Sequence, residues 1–330
     1  MNSSAPAVSV IIVNYNSGPR LRRCLDHLVA QHFRDFEILV VDNASSDDSI
    51  AKAREAHADI HLIEAGANLG FAAANNLAAK SAKGEWLAFL NPDAYAAPDW
   101  LEALLRGAEA YPDIDAFGST QIDDKDRDRI DGAGDVYHAF GFAYRGGFGQ
   151  PVSELPPEGE CFAPCAAAAM IRKETFLRLG GFFEPFFCYS EDVDFGFRMR
   201  LAGARAMQLR KAVVYHEGSG VTGRHSEFTI YHGHRNRTWT WYLNMPLPLL
   251  IATAPFHFLL DLLLFAMTAL RGEGRAYLRA LRDGYGGLPG LSAERRKRQQ
   301  ERTASAADIA RALVWSPVQL LHRSPHIRES

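Results

Sequence analysis

Cysteine is scarce in this chain of 330 residues: there are four, at positions 24, 161, 165 and 188, with irregular spacing. No disulfide framework is expected from them. Cys161 and Cys165 have the spacing of half a zinc site, but no second Cys/His pair at zinc spacing follows, so they read as ordinary small residues near a turn. The opening "MNSSAPAVSVII" has no charged n-region and no cleavable apolar segment. With the scattered thiols this gives the expectation of a reducing, cytoplasmic compartment. An excess of basic charge is also missing. The formal net charge is -3, which leaves no global basic field and implies no nucleic-acid partner. No internal repeat is evident.

What is present is the composition of a folded protein, 47% hydrophobic and 23% charged, long enough for one large domain or two that share a cleft. "VSVIIVNYN" from Val8 to Asn16 is a β-branched run ending in turn chemistry, as in a strand buried on both faces of a parallel sheet. A helical pattern with Leu21, Cys24, Leu25 and Leu28 on one face follows, and "FEILVVDNASSDDS" is a second buried strand running into a polar loop. "IHLIEAG" predicts a short third strand, "NLGFAAANNLAAKSA" a Gly turn opening an Ala-rich helix, and "EWLAFLNPDAY" a fourth strand that stops at Pro92. Strands alternating with helices at this spacing predict right-handed βαβ units and a doubly wound, Rossmann-like α/β sheet. Ligands bind such sheets at the carboxyl ends of the strands. Those ends here carry Asn14, Asp42, Asn43, Asn68, Asn91 and Asp93.

From about 121 to 150 the chain becomes charged and then alternates Gly with aromatics, which predicts a loop or hairpin insertion able to cover a cleft. A small-residue strand and a short helix over about 173–179 follow, closed by Gly180 and Gly181. In "YSEDVDFGFRMRLAG" the segment 192–201 has helical spacing, with Val193, Phe197 and Leu201 on one stripe, and "SED" has the form of an N-cap followed by first-turn acids.

The motifs "VSVIIVNYN", "ILVVDNASSDDS", "NLGFAAANN", "FLNPDAY", "GGFFEPFFCYSEDVDFGFRMRLAG", "AVVYHEGSG" and "HRNRTWTWYLNMP" run in one order over about 8–246. In that order they resemble the family 2 glycosyltransferases with the GT-A fold, and among them the bacterial rhamnosyltransferase-type enzymes of cell-surface polysaccharide assembly. The resemblance implies an inverting transferase. It would move a sugar, such as L-rhamnose, from a dTDP- or UDP-sugar to a hydroxyl of a glycan or polyprenyl-linked glycan in cell-wall, O-antigen or exopolysaccharide synthesis. Inverting transfer needs a base for the acceptor hydroxyl and a means of neutralising the leaving nucleoside diphosphate.

The resemblance assigns the base to Asp192, the second acid of the "ED" pair. A like charge beside it and aromatic walls would raise its pKa, and the helix N-terminus would pull it back. Its alternative is a plain helix-capping acid. Glu191 and Asp194 would bind acceptor hydroxyls or fix the helix start. Asp93 would meet a metal-bound diphosphate, although Asn91 stands where the fuller family pattern has a second acid. His216 would be a further ligand or diphosphate contact, and an Asp/His pair suits Mn²⁺ or Mg²⁺. Asp42 would read the pyrimidine with help from Asn43, while Asn14 and Asn16 either flank base and ribose or simply form turns. Asn68 and Gly70 sit at a helix N-terminus whose amides suit phosphate or ribose, and Asn75 would face the donor. Arg235 and Arg237 would clamp the diphosphate or belong to a solvated basic helix start. The family commonly has an acid after "GGF" where this chain has Phe183.

These readings place a GT-A domain over 1–240, with a nucleotide half to about 120, and a helical C-terminal region over 241–330. "LLIATAPFHFLLDLLLFAMTAL" from Leu249 is 22 residues and long enough to cross a bilayer, but Pro255, His257 and Asp261 interrupt it. Over 271–302 nine basic residues face four acidic ones. A basic flank prefers the cytoplasm, where nucleotide sugars are made, and a single span would part it from the sheet domain. The expectation is an in-plane or re-entrant helical region at the inner membrane surface; packing on the sheet domain or on a second copy, as in a homo-oligomer, is the alternative. The tail "SPHIRES" reads as mobile. Two other functions remain in view. A catalytically idle, sugar-nucleotide-binding scaffold would not need the intact acids, and a nucleotide-dependent oxidoreductase would need a Gly fingerprint that is missing.

Overall fold

The structure, a computed structural model, describes residues 5–218 and 226–329, so the last two residues of "AVVYHEGSG" lie outside the described residues. Its first half runs β1 (Val8–Asn14), α1 (Pro19–Val29), β2 (Phe36–Asp42), α2 (Ser49–Ala56), β3 (His61–Glu64), α3 (Gly70–Ser81), β4 (Trp86–Leu90), β5 (Ala94–Ala96), α4 (Trp100–Ala110) and β6 (Ala116–Asp123). There follow β7 (Ile130–Ala133), β8 (Asp135–His138), β9 (Phe142–Arg145), β10 (Gly159–Cys161), β11 (Ala168–Arg172), α5 (Lys173–Arg178), α6 (Glu191–Leu201) and β12 (Ala206–His216). The chain closes with α7 (Glu227–Asn244), α8 (Leu247–Leu270), α9 (Gly274–Gly286), α10 (Leu288–Gln300), α11 (Ala306–Ala312) and α12 (Pro317–His322).

The main sheet has the order β10-β12-β6-β11-β4-β1-β2-β3, with β5 on β12 and β7 on β6. The βαβ units make the half from β3 to β4 parallel, as the alternating pattern predicts. β11 then enters antiparallel between β4 and β6, and β12 returns to run parallel to β6. All seven residues of β1 are buried because the sheet is covered on both faces. Val10 and Ile12 join Leu21, Leu25, Trp100 and Leu104 on one side; Ile11 and Val13 join Ala78, Phe176, Phe195 and Met199 on the other. The aromatic-Gly insertion is a separate hairpin, β8 paired with β9.

The C-terminal region folds back on this body. Val314 bridges His138 and Arg328 bridges Glu160 at the β10 edge, so the tail expected to be mobile is docked. Its anchor is the pair of ionic contacts that Glu160 makes with Arg328 and Arg200.

Asp194 is the junction between α6 and these helices. Its carboxylate accepts from Arg198 Nε at 2.9 Å, Arg298 NH1 at 2.5 Å and Asn244 Nδ2 at 2.7 Å, with no exposed side-chain surface. Burial alone would raise its pKa, but Arg298, Arg198 and the Asn244 amide outweigh that and hold it below the ordinary range. The stabilisation is therefore present above the unfolded carboxyl pKa and fades as pH falls through the lower folded value. Asp194→Asn takes the carboxylate partner from buried Arg198 and leaves Arg298 with Glu294 alone, and denaturant unfolding should show a loss of about 3–5 kcal/mol.

Candidate active site

A cavity of about 1110 Å³ opens at the carboxyl ends of the strands. Its wall takes Asn91, Pro92 and Asp93 after β4, His216 from the end of β12, and Glu191 and Asp192 from the start of α6. The β8–β9 hairpin contributes Tyr137, Phe142, Tyr144 and Arg145, and so does wall a cleft as the insertion pattern suggests.

The loop that delivers α6 is strained: Phe187, Tyr189 and Ser190 all have positive φ, at 66°, 72° and 68°. Ser190 makes no side-chain cap, contrary to the "SED" expectation; its backbone is left-handed where a capping residue is extended. Asp192 does that work, accepting from Val193 N at 2.8 Å and from Ala166 N at 3.0 Å. The loop is held from α7, where Asn236 Nδ2 donates to the carbonyls of Phe186, Cys188 and Tyr189 at 2.8–3.0 Å. Arg235 donates to the carbonyls of Pro185 and Phe186 and lies over Trp239. Arg235 is thus a loop holder outside the cavity wall, not a clamp within it. Gly70, at φ +77°, lets this loop close on α3: a Cβ there would stand 2.4 Å from the Phe187 carbonyl oxygen.

Two acid–base groups line the cavity. Burial first, then the neighbouring Asp192, pushes the Glu191 carboxyl well above its ordinary pKa, and its Oε2 is buried without a hydrogen-bond partner. Asp192 is also raised by burial, but the Ala166 and Val193 amides and Arg145 pull it back. Burial and like charge thus favour the neutral form at Glu191, while two backbone amides and Arg145 favour the charged form at Asp192. In the second group, His216 Nδ1 bonds Asp131 Oδ2 at 2.7 Å and its Nε2 lies 3.4 Å from Asp93 Oδ1. Burial alone would depress this imidazole, but Asp131 and Asp93 raise it to about 9. Asp131 in turn is bonded by Arg145, whose guanidinium stays protonated against its burial because Asp131, Asp135 and Asp192 surround it.

Nine of the fifteen expected residues are on the cavity wall: Asn43, Asn68, Gly70, Asn91, Asp93, Glu191, Asp192, His216 and Arg237. Several are already engaged. Asn43 Oδ1 accepts from Leu69 N, Asn68 Oδ1 from Gly70 N, and the Phe187 carbonyl from Ala72 N, so these α3 amides are not free for phosphate. Arg237 is buried in an ion pair with Asp261 of α8, which satisfies the charge that was to clamp a diphosphate.

The other six expected residues stand outside the wall. Asn14 is fully buried, donating to Ser45 and Ser49 hydroxyls, and Asn16 ties the β1 end to the loop after β2 by accepting from Ser46 N at 2.7 Å. Asp42, beside the wall residue Asn43, accepts from Ser45 N. Asn75 donates to the Phe71 carbonyl within its own helix. Asp194 is consumed by its two arginines, which removes it as an acceptor contact, and Arg235 holds the loop.

Sequence reasoning missed Asp131, Asp135 and Arg145, whose signal was an Asp twice within the short apolar strands "IDGA" and "DVYH". Asp135, Cys165 and Asp192 bring their ligand atoms within 4.8 Å of one another. A thiol is a poor partner for a hard cation, whereas the Asp93–His216 spacing of 3.4 Å matches two adjacent ligands on one ion with bonds of about 2.1 Å. Asn91 Oδ1, buried without a hydrogen-bond partner, is a further hard oxygen beside them.

A model of glycosyl transferase family 2 matches residues 9–178, just over half of the chain. The chain belongs to glycosyl transferase family 2. This glycosyltransferase is 30% identical over 246 residues to an N-acetylglucosaminyl-diphospho-decaprenol L-rhamnosyltransferase of Mycobacterium tuberculosis, covering 65% of this chain and 77% of that one. It is 31% identical over 232 residues to the O-antigen biosynthesis protein RfbC of Myxococcus xanthus, covering 65% of this chain and 18% of RfbC. The fold is similar to the mannosyltransferase PcManGT of Pyrobaculum calidifontis, solved with GDP-Man and Mn²⁺, at TM-score 0.55 and 20% identity over 97% of this chain and 88% of that one. It is also similar to GalNAc-T7, solved with UDP, GalNAc and Mn²⁺, at TM-score 0.58 and 16% identity over 73% of this chain and 48% of that one. The glycosyltransferase therefore has the GT-A architecture and the inverting chemistry of its family.

Burial and the neighbouring Asp192 favour the neutral form of Glu191, so Glu191→Gln replaces that form by a neutral amide of the same shape. Steady-state transfer should stay within about threefold of the parent. A loss of about 100-fold would mean that Glu191 acts as an anion.

Proposed function

We propose that this glycosyltransferase moves a sugar, L-rhamnose in the first instance, from a dTDP- or UDP-sugar to a hydroxyl of a lipid-linked glycan at the cytoplasmic face of the inner membrane, in cell-wall, O-antigen or exopolysaccharide synthesis. The observation that carries the reading is the placing of Asp192, raised by burial and bonded by two backbone amides, on the wall of the same cavity as Asp93 and His216. The name of the mycobacterial relative supports the sugar and the lipid-linked acceptor.

In this reading Asp192 takes the proton of the acceptor hydroxyl as its oxygen attacks the anomeric carbon. Protonated Glu191 donates a hydrogen bond to a sugar oxygen and keeps the second negative charge out of the pair. Asp93, His216 and Asn91 would hold Mn²⁺ or Mg²⁺, which when bound neutralises the leaving diphosphate. Asp131 fixes the ring of His216 through Nδ1 and leaves Nε2 turned to Asp93, the usual support for an imidazole ligand. Asp42 and Asn43 read the pyrimidine beside the β2 end. The GT-A domain extends over 1–240, and 241–330 forms the helical region that meets the membrane.

A thermal-shift and hydrolysis screen of dTDP-, UDP- and GDP-sugars with Mn²⁺ or Mg²⁺ tests the donor. The expected hit is a dTDP- or UDP-sugar. A GDP-sugar as sole hit would overturn the pyrimidine assignment.

A further inference from the structure

Helix α8 is amphipathic in the reverse sense for a protein surface. Its polar residues Thr253, His257, Asp261 and Thr268 are the buried ones. Trp241 donates to Thr253 and stacks on His257 with centroids 4.0 Å apart, while Asp261 accepts from Arg237, Tyr277 and Tyr285. His257 and Asp261, two of the residues that interrupt the apolar run in the sequence, are thus among the ones that bind α8 to the protein. The opposite face presents Ile251, Phe258, Leu262, Leu263 and Leu270, exposed by 66%, 53%, 63%, 53% and 90%. A continuous apolar face of this kind marks an interaction surface.

We propose that this face of α8 is the membrane-docking surface of the enzyme and that it lies in the plane of an anionic bilayer. The proposal extends the lipid-linked acceptor reading above from the cavity to the surface that would present that acceptor. Three observations select a bilayer as the occupant. First, α9 follows with Arg275, Arg279 and Arg282 exposed, while Ala276, Tyr277, Ala280 and Gly284 are buried against its neighbours; Arg271 stands between the two helices, so basic charge adjoins the apolar face. Second, α8 is 24 residues long and could reach across a bilayer, yet both flanks are fixed to one body. Asn244 and Arg298 bond to Asp194 and to each other, and Arg328 pairs with Glu160, so α8 lies along the protein surface as an interfacial helix does. Third, Leu264, Met267 and Arg271 at the end of α8 are also wall residues of the cavity that holds Asp192. A polyprenyl chain lying beside α8 would keep its headgroup at the mouth of that cavity.

The test is co-sedimentation of the full chain with vesicles of phosphatidylglycerol and phosphatidylethanolamine, compared with pure phosphatidylcholine. Ile251→Glu/Leu262→Glu changes two exposed residues outside the cavity, and Arg275→Gln/Arg279→Gln removes basic charge. The parent chain should sediment with the anionic vesicles. The Glu pair should lower its partition coefficient at least about tenfold, and the Gln pair should lower it on anionic vesicles alone. Donor hydrolysis, measured in parallel, should be unchanged in both, which separates loss of docking from failure of the transferase reading. Failure of the parent chain to bind either vesicle, or equal binding by the Glu pair, overturns the proposal. A stable dimer in light scattering that the Glu pair dissociates also overturns it, because a second copy would then cover the face.

Discussion

The buried contacts of Asp194 with Arg198, Arg298 and Asn244 are the constraint on which the site depends. Helix α6 begins with Glu191 and Asp192, and Asp194 lies within its first turn. Fixing Asp194 from α6 itself, from α7 and from α10 fixes the height and rotation of the two carboxyls ahead of it. The strained loop before α6 has no regular structure of its own, and Asn236 and Arg235 supply the hydrogen bonds that keep it in place. The C-terminal helices are therefore part of the active-site support, although the family match ends at residue 178.

Burial has different outcomes at the two acid–base centres because the neighbours differ. At Glu191 it adds to the like charge of Asp192 and favours the neutral form, while at Asp192 two backbone amides and Arg145 offset part of the same effect. At His216 it opposes two carboxylates, and the carboxylates win. The cavity thus brings together a carboxyl at the start of α6 whose charged form is stabilised by backbone amides and, at the ends of β4 and β12, groups suited to a hard cation.

The sheet and the paired acids were legible in the sequence because both are local. The β-branched runs, the stripe of α1 and the Gly turn before α3 each occupy a few consecutive residues. "ED" at a helix start and His216 at a strand end are read in the same way. What was hidden depends on contacts far apart in the chain. Asp194 reads as an acceptor contact until Arg298, more than a hundred residues later, is seen on it. Arg237 reads as a phosphate clamp until Asp261 is seen to neutralise it, and the same pair explains an acid in the middle of the apolar helix α8. Asn14 and Asn16 look like ligand or turn residues until Ser45, Ser46 and Ser49, distant in the chain, are seen bonded to their amides.

The central claim is that Asp192 is the base. It is tested most directly by measuring transfer and donor affinity together in Asp192→Asn, which keeps the shape of the side chain and removes its capacity to take a proton. The account predicts that the transfer rate falls by about 10²–10⁴ while donor affinity stays at the parent value. Near-normal transfer with donor binding intact would contradict it.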